Sequence, residues 1–103
     1  MSEFNNITVD IAANVYFEGK VTSRKITFAD GTIKTLGIMM PGEYQFDTEA
    51  AELMEITTGN ILVLLPNNDD WLAIKGGQSF NVPANTSFKV EANTIIDYCC
   101  SYL

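Results

Sequence analysis

The chain has 103 residues, 13 of them acidic, 6 basic and none histidine, for a net charge of −7. That length suits one domain with one core, and 47% hydrophobic against 18% charged residues is too apolar for a disordered chain. The acidic balance, with Lys20, Arg24, Lys25, Lys34, Lys75 and Lys89 scattered, argues against nucleic acid as a partner, and the missing imidazole removes the commonest general base and the commonest metal ligand.

Apolar residues recur with period two almost throughout, which predicts an all-β chain. Residues 7 to 11 alternate cleanly, and residues 1 to 13 read as an N-terminal extension that adds a strand to a barrel domain over 14–103. A second strand opens at Val15 and runs to Val21. Residues 26 to 28 lead into Asp30-Gly31, a two-residue hairpin signal, and a return strand over 33–39. Pro41-Gly42 turns the chain into extended residues 43 to 46. Residues 52 to 56 alternate up to Gly59-Asn60, and 61 to 65 read as a strand buried on both faces. After a polar loop over 67–70 come strands at 71–74, 79–82, 87–91 and 94–102. About ten short strands separated by turns predict a closed sandwich or barrel. The one stretch with helical spacing, 48 to 54, lacks a second apolar turn.

The longest apolar run, 61 to 65, stops at Pro66, far short of the ~18 residues of a membrane span, and the first residues have neither the basic nor the apolar part of an export signal. A cytoplasmic protein without a membrane partner is expected. Cys99 and Cys100 are neighbours in a β segment, so they face opposite ways and read as free, core-filling thiols. Trp71 reads as a cap on a strand end or an interface residue.

The sharpest pattern is one of spacing. Glu52 is followed, after six intervening residues, by Gly59; Gly77 is followed, after five, by Pro83, then Asn85 and Phe88. This resembles the two motifs of the cupin superfamily, the first ending E-x6-G and the second reading G-x5-P-x-G-x2-H, with Asn85 in a glycine position because asparagine tolerates the left-handed region. The resemblance implies a single-domain jelly-roll barrel. Metal-binding cupins carry H-x-H three or four residues before the glutamate. Here those positions are Phe46 and Thr48, or Gln45 and Asp47, and the last histidine position is Phe88. A lone Glu52 cannot hold a transition metal, so no metal and no cofactor are expected.

A narrower resemblance covers residues 15 to 103. Tyr16-Phe17-x-Gly19-Lys20-Val21, Pro41-Gly42-Glu43-Tyr44-x-Phe46, Glu52-x-Met54-x-Ile56-x-x-Gly59, Val63-Leu64-Leu65-Pro66 with Asp70-Trp71, Ser79-Phe80-x-Val82-Pro83 and Tyr98-x-Cys100-x-Tyr102 resemble, in order and spacing, the small cupins of the pyrimidine/purine nucleoside phosphorylase family. The resemblance implies a metal-independent, broad-specificity pentosyltransferase that converts a nucleoside and inorganic phosphate to free base and α-ribose 1-phosphate. It also implies a homodimer, as the free edge of a small barrel does. Family members often carry arginine where this chain has Ser101.

The residues can be matched to that chemistry. Cleavage of an N-glycosidic bond builds positive charge on the sugar and needs a proton donor for the base, so Glu52, in the barrel mouth, and Glu43, near its rim, are the candidate catalytic groups. Tyr44, Phe46, Met54, Phe80 and Phe88 are candidate walls for a nucleobase, which stacks on aromatic faces with little regard to sequence. For phosphate the candidates are Arg24, which also reads as a surface charge, or Ser87 with Thr86, Asn85 and backbone amides near Pro83. The rival function is a non-catalytic small-molecule-binding module, because fold alone does not fix activity.

Overall fold

Alternation of apolar and polar residues gives each strand one face to bury, and two antiparallel sheets bury those faces against each other. The computed structural model describes residues 3–103, so Met1 and Ser2 of the expected extension lie outside the described residues. Eleven strands follow in chain order: β1 Thr8–Val9, β2 Asn14–Tyr16, β3 Val21–Thr27, β4 Ile33–Met39, β5 Gly42–Asp47, β6 Glu52–Thr58, β7 Asn60–Leu64, β8 Leu72–Lys75, β9 Ser79–Val82, β10 Ser87–Ala92 and β11 Ile96–Tyr102. One sheet has the order β1-β3-β4-β11-β6-β9, with β2 also on β3, and the other has the order β5-β10-β7-β8. The chain crosses repeatedly between them, as in a jelly roll.

The all-β expectation holds, and the differences are local. Residues 15 to 21 do not form one strand: β2 ends at Tyr16, and Phe17–Gly19 make a tight left-handed turn before β3 begins. The stretch from 48 to 54 is not helical, and its second half opens β6. Asp30-Gly31 sits in a three-residue connection. Phe28 and Thr32 still pair, with the Phe28 N–H donating to the Thr32 carbonyl at 2.9 Å, while the Asp30 carboxylate accepts from the Thr32 N–H and Gly31 takes φ 88°. That is the longer hairpin in which a turn is followed by a left-handed glycine. Strand β7 buries only one face completely, with Ile61 and Val63 enclosed and Leu62 and Leu64 half-buried. Asn85 does adopt the left-handed conformation, at φ 55°.

Residues 8 to 11 run along the edge of the larger sheet beside β3. Val9 pairs with Ile26, Phe4 packs edge-on against Phe28 at 5.1 Å, and the Lys34 ammonium lies over both rings. Inside the barrel the contents divide. Ile56, Ile61, Val63, Val82, Val90 and Ile96 are all 2% exposed or less and fill one half, each contributing about 1.5–3 kcal/mol by burial. The other half is hollow.

Candidate functional site

Strand register decides which side chains meet in the hollow half. Glu52 opens β6 opposite Tyr102, the end of β11, and the next inward pair is Met54 with Cys100. Cys100 has Thr35 of β4 on its other side, and Tyr98, two residues back, has Gly37. Alternation thus puts Glu52, Thr35, Cys100, Tyr102 and Tyr98 on one wall. The Tyr98 hydroxyl donates to the Thr22 carbonyl at 3.1 Å across Gly37, where a Cβ would come within 2.6 Å of the Tyr98 oxygen. Only glycine permits that crossing. The Thr35 and Tyr102 hydroxyls lie 3.5 Å apart.

The facing wall is aromatic. Phe46 and Phe88 are partners across β5 and β10, with ring centroids 5.5 Å apart. Phe17 of the left-handed turn meets Phe46 edge-on at 5.6 Å. Met54, Met39 and Val21 complete a cavity of about 310 Å³ whose mouth carries Tyr16, Gln45 and Asp47. That volume is within the range of small-molecule sites.

Burial sets the protonation of the polar wall. It pushes the Glu52 carboxyl above its ordinary value, opposed by a hydrogen bond from the Cys100 thiol. Burial, reinforced by the neighbouring Glu52 charge, pushes Cys100 up to about 12. Burial likewise pushes Tyr102 up to about 12. Thiol and phenol therefore stay protonated near neutrality, and Glu52 is the carboxyl on this wall, its proton held more tightly than in water.

The cavity brings together four of the residues expected from sequence: Glu52, Phe46, Met54 and Phe88. The others lie elsewhere. Glu43 is exposed on the opposite face of β5, paired with Glu91 rather than near Glu52. Tyr44 is buried beside the cavity, its hydroxyl donating to the Met40 carbonyl at 2.6 Å. Phe80 stands behind Phe88, edge-on at 6.1 Å. Ser87 pairs with Asp47 at the end of β10, and Arg24 is exposed on β3 opposite Leu36, its guanidinium donating to the Ile11 carbonyl. Sequence reasoning did not single out Ser23, Thr35, Cys100, Tyr102 or Phe17 as site residues. The signal for Cys100 and Tyr102 was available, since positions 98, 100 and 102 of the last strand share one face.

The residues do not fit a transition metal. Of the positions counted back from Glu52, Gln45 and Asp47 are exposed, Phe46 is half-buried, and Thr48 is buried and occupied: its hydroxyl donates to the Pro83 carbonyl at 2.7 Å and accepts from the Thr86 N–H at 3.1 Å. Phe88 stands where a third imidazole would. Among the described residues no three His, Cys, Asp or Glu side chains gather to hold a metal, and Glu52 with a protonated thiol, the exposed Asp47 lying apart at the mouth, is not a zinc or iron donor set. A second, wider groove of about 610 Å³ on the outer face of the larger sheet is bordered by Leu36, Glu55, Asp97 and Cys99.

Comparison with known proteins places these features. The family model described as pyrimidine/purine nucleoside phosphorylase matches residues 11–102. A protein of that name from Colwellia psychrerythraea is 63% identical over 103 residues, covering 100% of this chain and 99% of its own. A crystal structure of a protein of unknown function from Acinetobacter sp. superposes with a TM-score of 0.95 at 38% identity, over 98% of each chain. A cupin superfamily protein from Desulfitobacterium hafniense matches 90% of this chain and 84% of its own with a TM-score of 0.65 at 14% identity, a likeness of fold alone. The barrel has the same fold as that cupin superfamily protein.

Proposed function

The chain belongs to the pyrimidine/purine nucleoside phosphorylase family, and from that premise we propose that it cleaves purine and pyrimidine nucleosides with inorganic phosphate, without a metal, releasing free base and α-ribose 1-phosphate. The observation that supports this most is the pairing, in one cavity, of a half-buried carboxyl with raised proton affinity and a wall of aromatic rings. Protonated Glu52 donates to the departing base as the C1′–N bond breaks and a phosphate oxygen closes on C1′. Phe46 and Phe88 face the flat base, and stacking serves bicyclic and monocyclic bases alike. The Ser23, Thr35 and Tyr102 hydroxyls face the ribose and phosphate oxygens. Among the described residues no lysine or arginine lines the cavity, so phosphate is held by neutral donors.

A homodimer suits this reading: Leu36 and Ile38 are exposed side by side on the outer face of the larger sheet. The buried, unpaired cysteines suit a reducing cytoplasm. The test is to incubate the protein with uridine or adenosine and phosphate in excess chelator. Free base and ribose 1-phosphate should form in equal amounts from both nucleosides, and only when phosphate is present. Nucleoside binding without turnover would instead make this a non-catalytic binding module.

A further inference from the structure

The segment Tyr16-Phe17-Glu18-Gly19-Lys20 has no part in the reaction as described, yet it carries the most concentrated backbone strain in the described residues. Phe17, Glu18 and Gly19 take φ of 52°, 57° and 93° in succession. A bulky aromatic residue in the left-handed region is an outlier, and such outliers persist only where the surroundings over-determine them, as they do at ligand clamps. The over-determination here is a closed circuit. The Lys20 N–H donates to the Phe17 carbonyl at 3.1 Å, and the Met40 N–H donates to the Lys20 carbonyl at 2.7 Å. The Tyr44 hydroxyl then donates to the Met40 carbonyl at 2.6 Å, and the Tyr44 ring returns to pack on Phe17 at 4.9 Å. All this holds a ring that stays 42% exposed while lining the cavity.

We propose that Phe17 is the platform on which the nucleobase stacks at the cavity mouth, and that Tyr44, which touches no substrate, is its positioning residue. This rests on reading the cavity as a nucleoside site. A purine covers more of the ring than a pyrimidine, so Phe17 also biases selection towards purine nucleosides.

The experiment measures adenosine and uridine affinity by calorimetry, turnover and thermal melting for the wild type, Phe17→Leu, Phe17→Gly, Tyr44→Phe and Glu52→Gln. Loss of one stacked ring should weaken adenosine binding roughly 5- to 150-fold in both Phe17 variants and uridine binding less. KM should rise while kcat changes by less than about threefold, the pattern of lost binding rather than lost chemistry. Tyr44→Phe keeps the ring but opens the circuit, so it should raise the adenosine KM by a smaller factor at unchanged kcat. Phe17→Gly should hold its melting temperature within a few degrees, since release of strain offsets lost contact. Unchanged adenosine affinity in the Phe17 variants, with Glu52→Gln still inactive, overturns the role of Phe17 and leaves the reaction intact. So does a melting temperature that falls in both Phe17 variants with affinity intact, which would make the ring a structural plug. If the wild type neither binds nor cleaves either nucleoside, both readings fall.

Discussion

Strands β6, β10 and β11 run through both halves of the barrel in the same alternation, and the halves differ in what the inward positions carry. Along β6, Ile56 lies in the filled half, while Met54 and Glu52 line the cavity; along β11, Ile96 lies in the filled half, while Tyr98, Cys100 and Tyr102 line the cavity. In the filled half, branched aliphatic side chains meet and exclude solvent. In the hollow half, aromatic rings stand against hydroxyls, a thiol and a carboxyl, which cannot interdigitate as densely and are left with unspent donors and acceptors. The core gives stability to one half and leaves the other free for chemistry.

The halves should respond differently to mutation. Glu52→Gln should give the largest change, a drop in kcat of about 10²–10⁴-fold, the usual worth of a positioned proton donor, with little change in melting temperature. In the filled half Ile61→Ala, at a site 1% exposed, should do the reverse. It should cost about 2–5 kcal/mol, lowering the melting temperature by roughly 10 °C or more while the remaining folded protein keeps its kcat per site.

A subtler difference lies in pH. The folded-state pKa of Glu52 is raised above its ordinary 4.5, so the folded chain holds this proton more tightly than the unfolded one. The associated stability is fully present below that ordinary value and is lost as pH rises through the raised one. Melting temperatures of Glu52→Gln should therefore gain on the wild type across that window. The rate of the wild type should fall through the same raised pKa as the acid ionises. Cys100→Ala removes the hydrogen bond that partly offsets burial, and should move this falling limb to higher pH. The smallest effect belongs to Arg24→Ala. Its side chain is exposed and outside the cavity, so the KM for phosphate should not change and stability should stay within about 0.5 kcal/mol.

Much of the fold was legible because alternation, turn residues and motif spacing all depend on local geometry. Asn85 in the left-handed region and Glu52 lining the cavity were both implied by the resemblance to the cupin motifs. The site was legible only where one strand sufficed to place a residue. Glu43 was expected near the rim, yet one step of alternation from Tyr44 puts it on the outer face of β5. Thr35 and Cys100 meet through the register between β4 and β11, which no local pattern states. Phe17 was hidden differently: residues 15 to 21 look like a continuous strand, and only the tertiary circuit through Lys20, Met40 and Tyr44 bends them into a left-handed turn.

The central claim, that the hollow half is the nucleoside site, is tested most directly by following side-chain methyl resonances during titration with adenosine. The account predicts that the Met39 and Met54 methyls shift saturably while those of Ile61 and Ile96 in the filled half hold still. Saturable shifts at Leu36 in the outer groove, with Met39 and Met54 unmoved, would contradict it.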